Sequence, residues 1–330
     1  MFKWFVISSL LSLLAGYGTI ATLAARQLTQ AHRRISNIEP TSAGLNYEDV
    51  WFPARGDALN IAAWHIPAPG ATQAIIIGHG IGGCRGKEFT VPSFELVGRL
   101  VRNGFTVLML DLRGHGESDA ARMTYGIHER RDILGAVDWL LARGYAPGAI
   151  GVLGASMSGV AGIGAMCAEP AIGALIVDSS CADFMMMMRQ HFTAYSKLPQ
   201  FFLPGAIFMS RFLIGARLDH LRPAEEIRAI SDRPILIIHA RGDKVVPVTH
   251  AQALASAGGA ELWIIESTRH LGSFGVDRAL YSMRVTRFFS QALGGTESHV
   301  ASVLNGSATQ QRNAQNVRAQ RQLAEEARSN

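Results

Sequence analysis

Three short segments carry residues whose types and order suit acyl transfer. The first is Ile150-Gly151-Val152-Leu153-Gly154-Ala155-Ser156-Met157-Ser158-Gly159: an apolar run, a small residue, a serine, and then a stretch rich in Gly and Ala. This is the pattern of a nucleophile elbow, in which a serine occupies a sharp turn between a strand and a helix. Residues two positions either side of that serine meet across the turn and must be small. Here they are Gly154 and Ser158, so the second departs from the usual G-x-S-x-G. Ser158 is the poorer nucleophile, because its own flank would be the bulky, β-branched Val160. A plainer reading makes Ser156 only the N-cap of the next helix.

The second segment, Ala240-Arg241-Gly242-Asp243-Lys244-Val245-Val246-Pro247, puts an aspartate in the loop after an apolar strand. The third, Glu266-Ser267-Thr268-Arg269-His270, puts a histidine after the last apolar strand. Asp243 could orient an imidazole, and His270 could take the proton from Ser156 as it attacks a carbonyl. Taken singly, Asp243 is a turn residue beside Gly242 and His270 is one of eleven histidines. Together, Ser156, Asp243 and His270 follow the chain order of a Ser–Asp–His relay, each at the carboxyl end of an expected strand.

A fourth segment, Ile75-Ile76-Ile77-Gly78-His79-Gly80-Ile81-Gly82-Gly83, offers a loop of small residues after a strand. His79 and Gly80 place it as an oxyanion loop, and the expected oxyanion donors are the backbone N–H groups of Ile81 and Met157. The same residues satisfy G-x-G-x-x-G at Gly78, Gly80 and Gly83, with Asp111 ending the next strand. Against a dinucleotide site, Cys84-Arg85-Gly86-Lys87 and Pro92 imply a long loop where a helix should open at once. No cofactor and no metal are expected; H-E-x-x-H, C-x-x-C and G-x-x-x-x-G-K-[ST] do not occur.

The elements that must position these residues can be read from periodicity. Strands are expected at Glu48–Pro53, Leu59–Ile66, Ala74–Ile77, Phe105–Leu110, Ala149–Leu153, Ile172–Val177, Pro234–His239 and Leu262–Ile265. Helices are expected at Pro92–Asn103, Ile127–Arg143, Met157–Ala168, Thr249–Ala257 and Val276–Ala292. Continuous apolar strands alternating with helices describe an α/β fold: a mostly parallel, eight-stranded sheet covered on both faces, with an antiparallel start. Residues 181–230 interrupt the rhythm with Met185–Met188, Phe201-Phe202-Leu203, Ile207-Phe208-Met209 and Phe212-Leu213-Ile214. They read as a helical cap over the carboxyl ends of the strands, most of whose Met and Phe residues ordinary core packing would explain.

Trp4 to Ala25 is uncharged and apolar. As a helix it would span roughly 33 Å, enough for a bilayer core. It is either an uncleaved single-pass anchor or a signal peptide cut near Thr22–Ala25. Arg26, Arg33 and Arg34 after it, against Lys3 before it, favour a cytoplasmic domain, whereas a signal-anchor start would place the domain outside. The expected organisation is a membrane segment at 1–26, a connector at 27–47, the main domain at 48–293 and a disordered tail at 294–330. A net charge of +5 without a Lys/Arg block interleaved with aromatics argues against nucleic acid. Three cysteines, Cys84, Cys167 and Cys181, make no disulfide framework.

Residues Val50 to Ala292 resemble the α/β-hydrolase superfamily, in particular its serine aminopeptidase-like and lysophospholipase-like branch. The resemblance is carried by His79-Gly80, Asp111-Leu112-Arg113-Gly114-His115-Gly116-Glu117-Ser118, Gly154–Gly159, Gly242-Asp243 with Val246-Pro247, and His270. It implies a serine hydrolase acting through an acyl-enzyme, most simply on a small-molecule carboxylic ester, a lipid or acyl ester among the candidates. A peptidase or amidase of serine aminopeptidase type, or a non-catalytic binding protein on the same fold, are the alternatives. The Asp111–Ser118 turn is structural in such proteins.

Overall fold

The computed structural model describes residues 1–89 and 91–294. The chain opens with a long helix, α1 (Phe2–Leu28), and then two strands, β1 (Glu48–Pro53) and β2 (Asn60–Ile66). Next come β3 (Gln73–Gly78), α2 (Phe94–Arg102), β4 (Phe105–Leu110), α3 (Glu129–Leu141), β5 (Ile150–Ala155), α4 (Met157–Ala168) and β6 (Ile172–Asp178). The segment before the next strand folds into α5 (Phe184–Ser196), α6 (Leu203–Ile214) and the single turn α7 (Pro223–Glu226). The chain then runs through β7 (Ile235–Ala240), α8 (Val248–Gly258), β8 (Glu261–Ile265), α9 (Ser273–Val276) and α10 (Arg278–Ala292).

All eight strands join one sheet in the order β1-β2-β4-β3-β5-β6-β7-β8. Strand β2 runs antiparallel to both of its neighbours, and every other pairing is parallel. The mixed α/β sheet expected from sequence is therefore the sheet observed. Strands β3 to β7 are largely apolar because both of their faces are buried. In β3, Ala74 and Ile76 face one core and Ile75 and Ile77 the other, as a repeat of two requires. One core packs under α3, α4, α8 and the cap helices, the other under α2, α9 and α10.

Among the boundaries that move by a few residues, two have plain local reasons. Helix α10 begins at Arg278 rather than Val276, because the Asp277 carboxylate accepts the N–H of Leu280 and caps the helix there. Helix α1 runs on to Leu28, past the expected start of the connector, since Leu28 is buried in the first core and no Gly or Pro lies between Thr19 and Leu28. The expected tail from 295 onward lies outside the described residues.

Helix α1 is long and apolar enough to cross a membrane. Residues 1–16 are wholly exposed; partial burial begins at Tyr17, and Ala21, Ala24, Ala25 and Leu28 are buried. The packing partner is the cap. The Tyr17 ring stacks on Phe202 at 5.2 Å, and its hydroxyl donates to the Phe201 carbonyl at 3.1 Å. A Cβ at Gly205 would stand 2.7 Å from the Tyr17 ring, so glycine is what lets α6 approach α1.

Candidate active site

In strand order, β4 lies on one side of β3 and β5 on the other. Such a reversal opens a crevice at the carboxyl ends of the two strands, where α/β sheets hold their ligands. Gly78 and Gly154 are direct partners across β3 and β5, so the loop after Gly78 and the turn after Gly154 leave the sheet side by side.

The turn from β5 to α4 is made by one residue, Ser156, with φ 54° and ψ −111°. A non-glycine residue there carries strain of the kind that concentrates at functional sites. Several contacts hold it. The Ser156 N–H donates to the Asp178 carbonyl at 2.7 Å, and the Ser180 hydroxyl donates to the Ser156 carbonyl at 2.6 Å. A Cβ on Gly154 would come within 2.5 Å of the Gly159 backbone. The atypical Ser158 is also accounted for. Its Oγ accepts the Ala155 N–H at 2.7 Å and donates to the Ala155 carbonyl at 3.0 Å, so the extra hydroxyl ties the turn together. Gly78 makes room for it, since a Cβ there would lie 2.7 Å from the Ser158 Cβ.

The structure brings the three sequence-derived residues together although they are far apart in the chain. His270 Nε2 lies 3.0 Å from Ser156 Oγ, and His270 Nδ1 lies 2.7 Å from Asp243 Oδ2. The Asp243 side chain is fully buried, while His270 keeps a fifth of its side chain exposed. Burial alone would push the Asp243 carboxyl up. It is instead held below the usual aspartate range, because His270 donates to it and the N–H groups of Val245 and Val246 bond its Oδ1 at 2.8 and 2.9 Å. The carboxylate is thus charged at neutral pH and fixes Nδ1 of His270 as a donor, leaving Nε2 facing the serine as an acceptor.

The loop after β3 is built around His79. Its ring is buried, Nδ1 donates to the Gly80 carbonyl at 2.8 Å, and Nε2 accepts the Leu112 N–H at 3.0 Å. Burial and the neighbouring His115 push its pKa down to about 3, in keeping with a ring that must stay neutral to accept an amide proton. Gly80 packs so close to Ser156 that a Cβ on it would lie 3.1 Å from the serine Cβ. The N–H groups of Ile81 and Met157 make no hydrogen bond among the described residues; Met157 follows Ser156 directly, and Ile81 lines the same pocket as Ser156. The dinucleotide fingerprint finds no support in this geometry. After Gly83 no helix begins before Phe94, and the Asp111 carboxylate accepts the N–H groups of Arg85 and Glu117 in a buried turn.

Several residues around the site had no local signature in sequence. His239, in β7, donates from Nε2 to the Val246 carbonyl at 2.8 Å and so braces the Asp243 loop. Asp178, at the end of β6, accepts the hydroxyls of Tyr281 at 2.9 Å and Ser179 at 2.8 Å behind the elbow. In front of Ser156 lies a pocket of about 350 Å³, shared by Ser156, His270 and Ile81. Its apolar wall includes Leu28, Met123, Tyr125, Met187 and Met188. Two members of the methionine run thus face the serine rather than only filling core. The end of α1 is tied into this wall. The Tyr125 hydroxyl donates to the Leu28 carbonyl at 2.8 Å, Gln27 Nε2 to the Tyr195 carbonyl at 3.2 Å, and the Met123 N–H to the Thr29 carbonyl at 2.9 Å. The three cysteines are free, with Cys84 and Cys181 buried and Cys167 exposed.

Residues 16–203, more than half the chain, match the family described as X-Pro dipeptidyl-peptidase (S15 family). The chain belongs to that family. This S15-family match spans the loop after β3 and Ser156 but ends before Asp243 and His270. The α/β-hydrolase resemblance read from the motifs therefore holds. Among curated relatives, the uncharacterized YqkD of Bacillus subtilis is 28% identical over 244 residues, covering 72% of this chain and 78% of that protein. The lysophosphatidylserine lipase ABHD12 of Danio rerio is 26% identical over 231 residues, covering 63% of this chain and 58% of that protein. The fold is shared with the Pyrococcus furiosus esterase Pf2001, at a TM-score of 0.66 and 22% identity, over 80% of this chain and 99% of that one. The protein is a hydrolase of the α/β type.

Proposed function

We propose that this S15-family protein is a membrane-anchored serine hydrolase that cleaves carboxylic esters with an apolar acyl group. The observation that carries the reading is the double contact of His270, 3.0 Å from Ser156 Oγ and 2.7 Å from Asp243. His270 Nε2 takes the hydroxyl proton as Ser156 Oγ bonds to the ester carbonyl carbon. The oxyanion is received by the N–H groups of Ile81 and Met157 at the turn. The C–O bond to the alcohol breaks as His270 returns the proton to the leaving oxygen, and an acyl-serine remains. Water, deprotonated by the same imidazole, then releases the acid and restores Ser156. Asp243 keeps the ring oriented and balances the imidazolium charge.

An acyl substrate fits the apolar wall of Leu28, Met123, Met187 and Met188. The Danio rerio relative, whose name gives a lipid ester as its substrate, points the same way. A retained anchor fits the burial of Ala21, Ala24 and Ala25, packing that a signal-peptide cut near Thr22–Ala25 would remove. A fluorophosphonate probe tests the nucleophile: the wild type should be labelled and Ser156→Ala should not. In steady state, Ser156→Ala and His270→Ala should each lose at least about a thousandfold in kcat. Equal labelling of Ser156→Ala would remove Ser156 from the mechanism.

The family description favours one second reading, removal of an X-Pro dipeptide from a peptide amino terminus. That reaction needs a partner for the substrate ammonium, and the pocket wall holds no Asp or Glu among the described residues. Aminoacyl-prolyl amides should therefore be poorer substrates than acyl esters of similar size, and the opposite ranking would make the peptidase reading the right one.

A further inference from the structure

We infer that the cap helix α6 is seated in the lipid leaflet beside α1, so that the protein is held by a span and by an interfacial helix at once. The inference rests on the reading of α1 as a retained membrane span. The first observation is a length. Residues 2–16 of α1 are exposed throughout, and burial against the cap begins at Tyr17. Fifteen helical residues extend about 22 Å, whereas a bilayer core is about 30 Å thick. The missing length lies in the part of α1 that packs on α6. In that part Ile20 and Leu23 are exposed and apolar, and Leu23 lines an open groove with Met209 of α6. Whatever medium fills that groove touches both helices.

The second observation is the composition of the outer face of α6. Helix α6 buries Leu203, Ala206, Ile207 and Ile214 toward α1 and the core, yet its outer face carries Phe208 and Phe212, 51% and 63% exposed. Phe201, just before it, is 64% exposed. A helix apolar on both faces belongs in protein interior or in lipid, and no protein covers this one among the described residues. Ser210 turns its hydroxyl back to the Ile207 carbonyl, and the Arg211 guanidinium lies over the rings of Phe208 and Phe212, at 4.3 and 4.9 Å. An arginine stretched along apolar surface in this way can leave its charge at the headgroups while its stem stays in the acyl region. Sinking α6 by the 5–10 Å usual for interfacial helices, about the depth missing from α1, supplies the rest of the span.

Site-directed spin labelling of the full chain in phosphatidylcholine–phosphatidylglycerol nanodiscs tests this. The background is Cys167→Ser, with Cys84 and Cys181 left buried. Labels are placed by Phe208→Cys and Phe212→Cys, by Leu10→Cys in the span, and by Gln252→Cys on exposed α8 as the aqueous reference. Unchanged near-ultraviolet circular dichroism certifies each fold, and the two cap positions serve as independent variants. At Phe208→Cys or Phe212→Cys, accessibility to oxygen with exclusion of a water-soluble nickel reagent is expected, at a depth shallower than Leu10→Cys. Nickel accessibility matching Gln252→Cys, with Leu10→Cys still deep, would overturn the inference and leave the span reading standing. Exclusion of both reagents would overturn it too, because a second protein would then cover the face. An aqueous Leu10→Cys would overturn the span and the seat together. None of these outcomes bears on the role of Ser156.

Discussion

Ser158 is the residue at which the site departs from the usual elbow, and its hydroxyl has become part of the turn. Removing it in Ser158→Gly leaves the buried Ala155 N–H without its acceptor. A cost of about 1–3 kcal/mol in urea unfolding is expected, with fluorophosphonate labelling kept. No loss of stability would mean that the hydroxyl is idle. His79 makes a second residue-scale prediction, one of pH. Its folded pKa is pushed down to about 3, below the ordinary histidine value near 6.5. Between those values the unfolded chain binds a proton that the folded chain refuses, so stability falls as pH drops below about 6.5. From this group alone the protein should be about 2 kcal/mol less stable at pH 5 than at neutrality. His79→Gln should lose that part of the pH dependence, read as the difference between the two urea midpoints at pH 7 and pH 5. Because His79 fixes the Gly80 carbonyl beside Ser156, the same variant should lower kcat more than it changes KM.

At the scale of elements, α1 does two jobs that meet at Tyr17. Residues up to 16 are exposed, while its last turns complete the wall in front of Ser156. Deleting residues 1–16 should leave ester turnover in detergent within about twofold of the wild type. Deleting residues 1–28 removes Leu28, frees the Tyr125 hydroxyl and opens the pocket, and should cost at least about tenfold in kcat/KM. Equal activity of the two truncated chains would show that the wall does not need α1. This division of α1 was illegible in sequence, and the reason is physical. The apolar stretch announces itself by composition alone, but which of its residues meet Phe201, Phe202 and Gly205 depends on chain nearly two hundred residues away. The strands and the elbow, by contrast, are local: a run such as Ile150–Leu153 ending at Gly154 fixes its own geometry. Asp243 and His270 were legible for the same reason, each lying in a short loop at a strand end. The bracing by His239 and the Asp178–Tyr281 pair were not, because a buried histidine in a strand and a tyrosine in a helix look like core until the fold joins them.

For the whole molecule, the sheet, the cap and α1 together make one apolar chamber with a polar end at Ser156. Burying each further methylene of an acyl chain there can add about 0.8 kcal/mol, or up to about fourfold in kcat/KM. A series of soluble esters from acetate to octanoate should climb accordingly until the pocket is full, and a flat series would mean that the wall of Met187 and Met188 is not the acyl site. The Tyr17–Phe201 contact, spanning 184 residues, also sets a timetable for making the protein. At the usual 5–20 residues per second, α1 leaves the ribosome roughly ten to forty seconds before its cap partner exists. Throughout that interval Ala21, Ala24 and Ala25 have no protein surface to cover them. If α1 is the retained span proposed above, the nascent helix enters the membrane first and the domain folds onto an anchor already in place.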